Sequence, residues 1–442
     1  MSSSTIDTDL LERAVGKLPV DALMPHRREA LKHFAEAGFP TTRHEDWKYT
    51  SLAPAIALSN IWLRDAAPAV APVSDAARKC AAEAASAIDA HWVVILNGVF
   101  QGTIEEGSLS TSRQGLSLPG FEVKSIAADA GGNFARAVTA DDPMTRFNTA
   151  LMRDAVHVRI ERGQESDKPL GLLILDDSET GPAVSQARVI VEAEANTHAA
   201  IIEYHASVGR DEHFANVVCE LALAEDAGID YLRLQQRGRN HFQVGRLNAR
   251  LGRNAILRHT AFDLGGALVR NDVAVDIAEP GAAVELYGLY LADGEQHIDN
   301  HTRVDHRVGP AKSSEEYRGI LSDSARCVFN GKALVHSGAD GTDAQQANHN
   351  LLLSDKAEID TKPELEIYAD DVKCSHGATV GQLDKAAMFY LRSRGLDRAE
   401  AVRVMTRAFA ATIVGRSTID SARPHVEKLV DQRLQALAGG LL

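Results

Sequence analysis

A cysteine and a histidine lie two residues apart in the segment DDVKCSHGATVGQLD, residues 370–384. Residues at i and i+2 of a β-strand face the same side, so Cys374 and His376 would point inward together from a half-buried strand. A thiol and an imidazole are ligand types used by iron, zinc and iron–sulfur centres. A charged imidazole would also lower the pKa of the thiol. The pair is a candidate metal or cluster site, and its structural alternative is two inert core residues.

A second group of candidate ligands lies in the run HIDNHTRVDH, residues 297–306. If this run is a strand, His297, Asp299 and His301 share one face, with neighbours about 6.6 Å apart, close enough for two of them to share a divalent ion. The alternative is a polar ladder on the sheet. Cys327 is a weaker candidate, because the apolar Val328 beside it favours a packing role.

Several common catalytic sites are missing from the sequence. A Cys–His hydrolase would need an orienting third group and oxyanion donors that two residues on one strand rarely supply. Neither Gly16-Lys17 nor Gly331-Lys332 is followed by the Ser or Thr of a phosphate-binding loop, and no G-x-G-x-x-G or G-x-S-x-G occurs. The four cysteines form no C-x-x-C pair, so the chain has no closed zinc or ferredoxin-type site.

The elements that must position these residues are predicted from hydrophobic periodicity. Apolar residues recur at helical spacing over about residues 8–39, and short β-patterned runs recur about every ten residues from 156 to 380. So long a β region is too large for one small sandwich and fits a large barrel, a double sandwich or a parallel β-helix. Aromatic residues are only 5% of the chain and tight hairpin signals are scarce, which favours the β-helix.

We therefore predict a mainly β fold with three parts: an N-terminal helical region and lead-in (1–150), a parallel β-helix core (151–381) and a C-terminal helical domain (382–442). In the last part, Asp384 and Asp397 are placed as helix N-caps, and Val402, Met405 and Phe409 mark an apolar stripe. A piece this small buries little by itself, so it is expected to pack on the core or on a partner.

Composition narrows the class of partner and the compartment. The chain has 47 basic and 61 acidic residues, a net charge of -14, which argues against nucleic acid as a main partner. Sparse cysteine fits a reducing compartment. The acidic start MSSSTIDTDLLERAVG does not resemble a signal peptide, and no apolar run approaches 18 residues. We expect a cytoplasmic protein with no membrane span.

Three separated blocks resemble the SufB/SufD family of iron–sulfur cluster assembly scaffolds of the SUF system. They are GFPTTRHEDWKYTSL at 38–52, HIDNHTRVDHRVGPAKSSEEYRGIL at 297–321 and DDVKCSHGATVGQLDKAAMFYLRSRG at 370–395. They occur in order and span most of the chain. The resemblance implies a right-handed parallel β-helix flanked by N-terminal and C-terminal helices.

The same resemblance implies a non-catalytic scaffold with two partners. It would pair with SufB through the β-helices and bind the ATPase SufC through the C-terminal helices, which explains the missing phosphate loop. Candidate SufC-binding positions are Asp384, Phe389, Val402, Met405 and Phe409. No cofactor is expected to be tightly bound; transient iron or a nascent cluster would be shared with SufB.

Within the family's C-S-H-G motif, the histidine implicated in cluster assembly falls on His376, which would act with a cysteine of SufB. Cys374 is the weaker candidate. The chain has no cysteine after Cys374. This absence follows the SufD pattern and argues against a cluster held by a homodimer. A homodimer of the isolated chain without a cluster stays open. Closure of two SufC subunits would shift the interface and expose buried ligands to iron and sulfide.

Two other classes of function stay open from the sequence. A purely structural adaptor would carry no metal ligand at all. A carbohydrate-active β-helix enzyme would need two carboxylates beside a groove, such as Asp370 and Asp371, and commonly aromatic platforms. The few aromatic residues count against the enzyme.

Overall fold

The computed structural model of the chain describes residues 5–65, 73–105, 107–110, 116–127 and 142–439. The fold is mainly β, with 44% of the described residues in strands and 25% in helices. No helix among the described residues is both long enough and apolar enough to cross a membrane.

The helices lie mainly toward the two ends of the described chain. They are α1 (Thr8–Gly16), α2 (Met24–Ala37), a 3-10 helix (Glu45–Trp47), α3 (Ala53–Asp65), α4 (Asp75–Ala87), α5 (Pro143–Leu151), α6 (Lys385–Ser393), α7 (Arg398–Val414) and α8 (Arg423–Gly439).

The strands fill the middle of the chain. They are β1 (His91–Leu96), β2 (Val99–Glu105), β3 (Ser108–Ser110), β4 (Leu116–Leu118), β5 (Phe121–Ser125), β6 (Val156–Ile160), β7 (Leu170–Asp177), β8 (Ala183–Ala193), β9 (His198–Val208), β10 (His213–Leu223), β11 (Gly228–Gln235), β12 (His241–Leu251), β13 (Ile256–Asp263), β14 (Leu268–Ile277), β15 (Ala283–Ala292), β16 (His297–His306), β17 (Lys312–Leu321), β18 (Arg326–Val335), β19 (Thr342–Leu352), β20 (Glu358–Ile367) and β21 (Val372–Gly381).

From β6 onward, consecutive strands alternate between two sheets. The eleven-stranded sheet runs β21-β19-β17-β15-β13-β11-β9-β7-β1-β2-β3, and the ten-stranded sheet runs β20-β18-β16-β14-β12-β10-β8-β6-β5-β4. Each strand from β6 to β21 pairs in parallel with the strand two places along in its own sheet. This is a β-solenoid of about eight turns, and it confirms the predicted parallel β-helix with helices at both ends. The three-part domain division stays a prediction.

Apolar side chains fill the lumen, which is the space between the two sheets. Alternate residues of each strand point into it, as Val217, Leu221, Ile229 and Leu257 do, and all four are at most 1% exposed. Equivalent positions stack from turn to turn, so aliphatic residues form a column along part of the lumen, while the buried polar residues Glu203, His205 and Arg233 occupy lumen-facing positions of the central turns. This packing explains why so few aromatic residues suffice.

The chain turns between the sheets at corners. Asn196, Asp226 and Asn254 occupy successive corners with φ of 59°, 56° and 53°, a left-handed conformation that Asn and Asp adopt more readily than other non-glycine residues. Turn length varies, since Phe242 pairs with Leu268, 26 residues later, whereas Lys312 pairs with Asp343, 31 residues later. The varying turn explains the absence of a strict sequence period.

Helices cover the outer faces of both sheets. One apolar cluster joins α4, α7 and α8 to the eleven-stranded sheet, and its members include Ile413, Val426 and Leu289. Another joins the N-terminal helices and α5 to the ten-stranded sheet, where Phe147 packs near Phe214. The C-terminal helices therefore pack on the core, one of the two outcomes expected for them.

Lumen packing leads to a stability prediction. Leu257→Ala should lower the free energy of unfolding by about 2–5 kcal/mol, because Leu257 is fully buried and its neighbours cannot close the cavity. Urea denaturation followed by circular dichroism would measure the change. Val20→Ala is the control, since Val20 is 90% exposed and its truncation should change stability by less than about 0.5 kcal/mol. Equal effects of the two substitutions would contradict the lumen assignment.

Candidate functional site

Cys374 and His376 lie on β21, the last strand of the eleven-stranded sheet. The strand pairs with β19 so that Cys374 aligns with Ala344 and His376 aligns with Gln346. Ala344 and Gln346 are buried lumen-facing residues, so Cys374 and His376 share the lumen-facing side of their strand. The predicted common face is therefore observed.

The burial predicted for this pair is wrong for His376. Cys374 is half-buried, but His376 and every residue after it on β21 are exposed. The physical reason is position: β21 pairs on one side with β19 and ends the sheet on the other. The lumen is thus open at this end of the solenoid, and the His376 side chain is accessible in the isolated chain.

The thiol of Cys374 is not activated in the isolated chain. Partial burial raises its pKa above the ordinary value, the nearby Asp343 carboxylate adds to the rise, and the Ala344 backbone opposes both. The lowering that an imidazolium was predicted to cause is not found. At neutral pH the thiol is protonated, so it must lose its proton to solvent before it binds a metal.

A polar column extends into the lumen beneath His376. Glu315 on β17 aligns with Gln346, which in turn aligns with His376. Gln346 Nε2 donates to Glu315 Oε2 at 2.7 Å, and the Thr302 hydroxyl donates to Glu315 Oε1. Glu315 is 6% exposed and Gln346 is 5% exposed. Burial raises the pKa of Glu315 to about 7, even though both hydrogen bonds oppose the rise.

Glu315 and Gln346 were not among the site residues predicted from the sequence. The available signal was parity, because Ser313, Glu315 and Tyr317 alternate with outward-facing residues along β17. A charged residue at a lumen position breaks the apolar pattern. It could have been found if the strand register had been known, and the varying turn lengths hide that register.

The second predicted group faces away from the lumen and is fully engaged in structure. The hydroxyl of Thr50 lies 2.7 Å from His297 Nε2 and donates to Asp299 Oδ2. Asp299 also accepts from Arg270 Nη1 at 2.6 Å, and His301 Nε2 lies 2.9 Å from its other oxygen. Burial alone would raise the pKa of Asp299, but Arg270 and His301 hold it below its usual range. These contacts form a polar ladder on the sheet, which is the arrangement that the sequence left open as the alternative to a metal site.

This ladder fastens the N-terminal segment to the solenoid. Arg270 donates to Asp272 and to the backbone oxygen of Asp46, and its guanidinium lies 4.1 Å from the Trp47 ring centroid. Trp47 and Thr50 belong to the block at 38–52, and Asp299 belongs to the block at 297–321. Two of the three sequence blocks thus meet in space.

Among the described residues, no group of three or more His, Cys, Asp or Glu side chains is placed to hold a metal ion. Cys327 lies in the apolar lumen, fully buried, and burial raises its thiol pKa well above the ordinary value. Cys327 is therefore a packing residue in this structure.

The five residues proposed to bind the ATPase occupy different environments. Asp384 caps α6 by accepting from Ala386 N at 2.9 Å, and Val402 is buried. Met405 and Phe409 are half-buried, and the Arg318 guanidinium lies 4.9 Å from the Phe409 ring centroid. Phe389 is 75% exposed. Of the five, Phe389 therefore presents the most apolar surface to a partner.

Phe389 stands at the edge of a groove of about 390 Å³. Leu352, Leu353, Met388 and Val402 contribute apolar lining, and Arg392 and Arg398 contribute positive charge. An apolar groove with an exposed aromatic residue and flanking charges has the character of a protein-binding surface.

The chain matches two family models that together span most of its length. "SUF system FeS cluster assembly, SufBD core domain" matches residues 174–409, and "SufBD protein N-terminal region" matches residues 12–172. The boundary between the matches falls at β7, inside the solenoid.

Individual relatives agree with the family models. The Escherichia coli iron–sulfur cluster assembly protein SufD is 30% identical over 414 residues, covering 93% of each chain. A SufBD family protein of Synechocystis is 30% identical over 440 residues, covering 96% of this chain and 94% of the relative. The chloroplastic protein ABCI7 of Arabidopsis thaliana is 29% identical over 292 residues, covering 63% and 61%.

The buried carboxyl group gives a pH prediction. The raised pKa of Glu315 favours the folded state below the usual carboxyl pKa of about 4.5, and this advantage disappears as pH rises through 7. Glu315→Gln should therefore be more stable than wild type above pH 7, by up to about 3 kcal/mol, and should differ little near pH 4.5. Urea denaturation at several pH values measures this difference. A constant difference across the range would contradict the burial of a titrating carboxyl group.

Proposed function

The chain belongs to the SufBD family of iron–sulfur cluster assembly proteins, and we propose that it is a scaffold subunit of a SufBCD-type complex. The observation that carries this proposal is the presence of Cys374 and His376 on lumen-facing positions at the open end of the solenoid. A thiol and an imidazole are suitable ligands for iron, and this end is accessible to a second protein.

The local pair supplies half of a coordination sphere. Iron in protein sites commonly takes four or more ligands, and Cys374 and His376 provide two at most. The remaining ligands would come from the partner SufB and from sulfide. Iron or a nascent cluster is the cargo of such a site, held transiently between the two proteins.

The surface near the pair favours a covering partner. Ile367, Tyr368 and Val380 lie on or beside the last two strands and are 41%, 65% and 49% exposed. The outer edges of β20 and β21 are also unpaired within the described chain. Exposed apolar side chains beside free strand edges favour pairing with another β-structure, here the solenoid of SufB.

The ATPase SufC is assigned to the C-terminal helices. Helices α7 and α8 pack on the eleven-stranded sheet, while α6 presents Phe389 beside the groove described above. Force applied to α6 would be transmitted to the end of the solenoid, because α6 follows β21 after only a short connection. Nucleotide-driven closure of SufC could thereby open and close the SufB interface.

The accessible position of His376 changes the mechanism expected from the sequence. His376 is exposed in the lone chain, so any shielding of the ligands comes from SufB and not from this chain's own core. The conformational step would then separate the two subunits locally and admit iron and sulfide. When Cys374 takes part, metal binding releases its thiol proton to solvent.

The ligand assignment is tested in the reconstituted complex under anaerobic conditions. His376→Ala should reduce bound cluster about tenfold or more, measured by absorption and iron content. His349→Ala is the matched control, because His349 lies on the neighbouring strand with its side chain outside the lumen, where it contacts the Thr379 hydroxyl. Full cluster content in an intact His376→Ala complex would instead support a structural adaptor.

The partner assignment is tested by a point substitution. Phe389→Asp should weaken SufC binding on the order of 10- to 100-fold, since an exposed aromatic anchor would be replaced by a charge. Binding can be measured by titration calorimetry. Val20→Asp is the control, because it adds the same charge at an exposed apolar position that is far from Phe389 in the sequence. Removal of α7 and α8 is a poorer test, because it would uncover the apolar sheet face beneath them. Unchanged affinity of the Phe389→Asp protein would contradict the assignment.

A further inference from the structure

The Gln346 amide beneath His376 has a defined orientation. Above its raised pKa the Glu315 carboxylate accepts hydrogen bonds and donates none, so the amino end of Gln346 faces Glu315 there, in agreement with the 2.7 Å contact. The carbonyl oxygen Oε1 is then left over. It is buried and has no hydrogen-bond partner among the described residues.

An unpaired buried acceptor is costly. Leaving one without a donor costs about 1–3 kcal/mol in a folded protein. The structure nevertheless makes room for this amide. Gly331 stands opposite in the ten-stranded sheet, and a side chain there would overlap Gln346 Nε2 and come within 2.9 Å of Phe329 Cζ. The lack of a side chain at position 331 therefore leaves the space that the Gln346 amide occupies.

The next position in the column is His376. It aligns with Gln346 across the pair β19–β21, and neighbouring strands lie about 4.8 Å apart, so side chains on the same face are in reach of each other. An imidazole N–H is the donor that the free oxygen lacks. We propose that the exposed His376 ring turns toward the lumen and donates one ring N–H to the free Oε1 of Gln346, so that Gln346, anchored by Glu315, positions the imidazole.

This contact decides which ring nitrogen is available for a ligand. A neutral imidazole has one N–H and one lone pair, and fixing the N–H on the Gln346 side turns the lone pair toward the open end of the solenoid. Histidine ligands in metal sites usually have such a partner on the other nitrogen. Gln346 and Glu315 are thus positioning residues.

The inference about iron rests on the proposed function, whereas the hydrogen bond itself does not. A test can therefore separate the two. The tautomer of the His376 ring is measured in the full-length chain by long-range nitrogen–proton correlation NMR, with the resonance assigned through His376→Ala. Binding of Fe²⁺ is measured separately, under anaerobic conditions, in the reconstituted complex.

Gln346→Met removes the acceptor while keeping the side chain's length. The wild-type ring should show one dominant tautomer, and the variant should shift to a mixture. Gln345→Met is the matched control, because Gln345 is the adjacent residue with an exposed side chain on the opposite face. In the complex, Gln346→Met should raise the Fe²⁺ concentration for half-saturation by about 10- to 100-fold relative to that control.

A second substitution provides an independent test in case the Gln346→Met protein misfolds. In Glu315→Gln the new amide both donates and accepts, so Gln346 is free to reverse, and the tautomer preference of His376 should weaken. An unchanged tautomer in Gln346→Met overturns the inference. If the His376 tautomer changes in Gln346→Met and does not change in Glu315→Gln, Glu315 does not take part in positioning the ring. If the tautomer responds but His376→Ala binds Fe²⁺ normally, the positioning contact stands and the proposed function fails.

Discussion

Stacking of one turn on the next is the constraint on which this structure depends. Each strand of the solenoid satisfies its backbone hydrogen bonds and covers its lumen side chains through the turns on either side. The last strands, β20 and β21, have a neighbouring turn on one side. Their lumen-facing residues are consequently half-buried or exposed, while equivalent residues in the central turns are fully buried. The same geometry that stabilises the core therefore leaves the lumen-facing residues of its last turn accessible.

Polar groups interrupt the aliphatic packing of the lumen in two regions. Glu203, His205 and Arg233 are buried in the central turns, and Thr302, Glu315 and Gln346 form a hydrogen-bonded group close to the open face. A buried carboxyl group with a raised pKa is an unfavourable core residue, and such groups concentrate at functional sites. Glu315, Gln346 and the Cys374–His376 pair lie in one region because all occupy lumen-facing positions on the last three strands of the eleven-stranded sheet.

The polar contacts of Arg270 have a structural role that is separate from the candidate site. It connects Asp299 on the outer face of the ten-stranded sheet to Asp46 and Trp47 of the N-terminal segment. The histidines at 297 and 301 were candidate metal ligands because their spacing on a strand is suitable. Spacing along the sequence does not show which part of the molecule covers that face of the sheet. Here the chain's own N-terminal segment covers it, and Thr50 of that segment contacts His297 and Asp299.

Local pattern alone determined much of this protein. Alternation of apolar residues placed the strands, Asp384 and Asp397 marked the starts of α6 and α7, and parity put Cys374 and His376 on one face. These features depend on near neighbours in the chain, which a sequence displays directly. Tertiary structure decided the rest: that His376 is exposed, that Cys374 has a raised thiol pKa, and that Glu315 and Gln346 lie beneath them. Those properties depend on which turn stacks on which and where stacking stops, and unequal turn lengths leave no sequence period from which to read them.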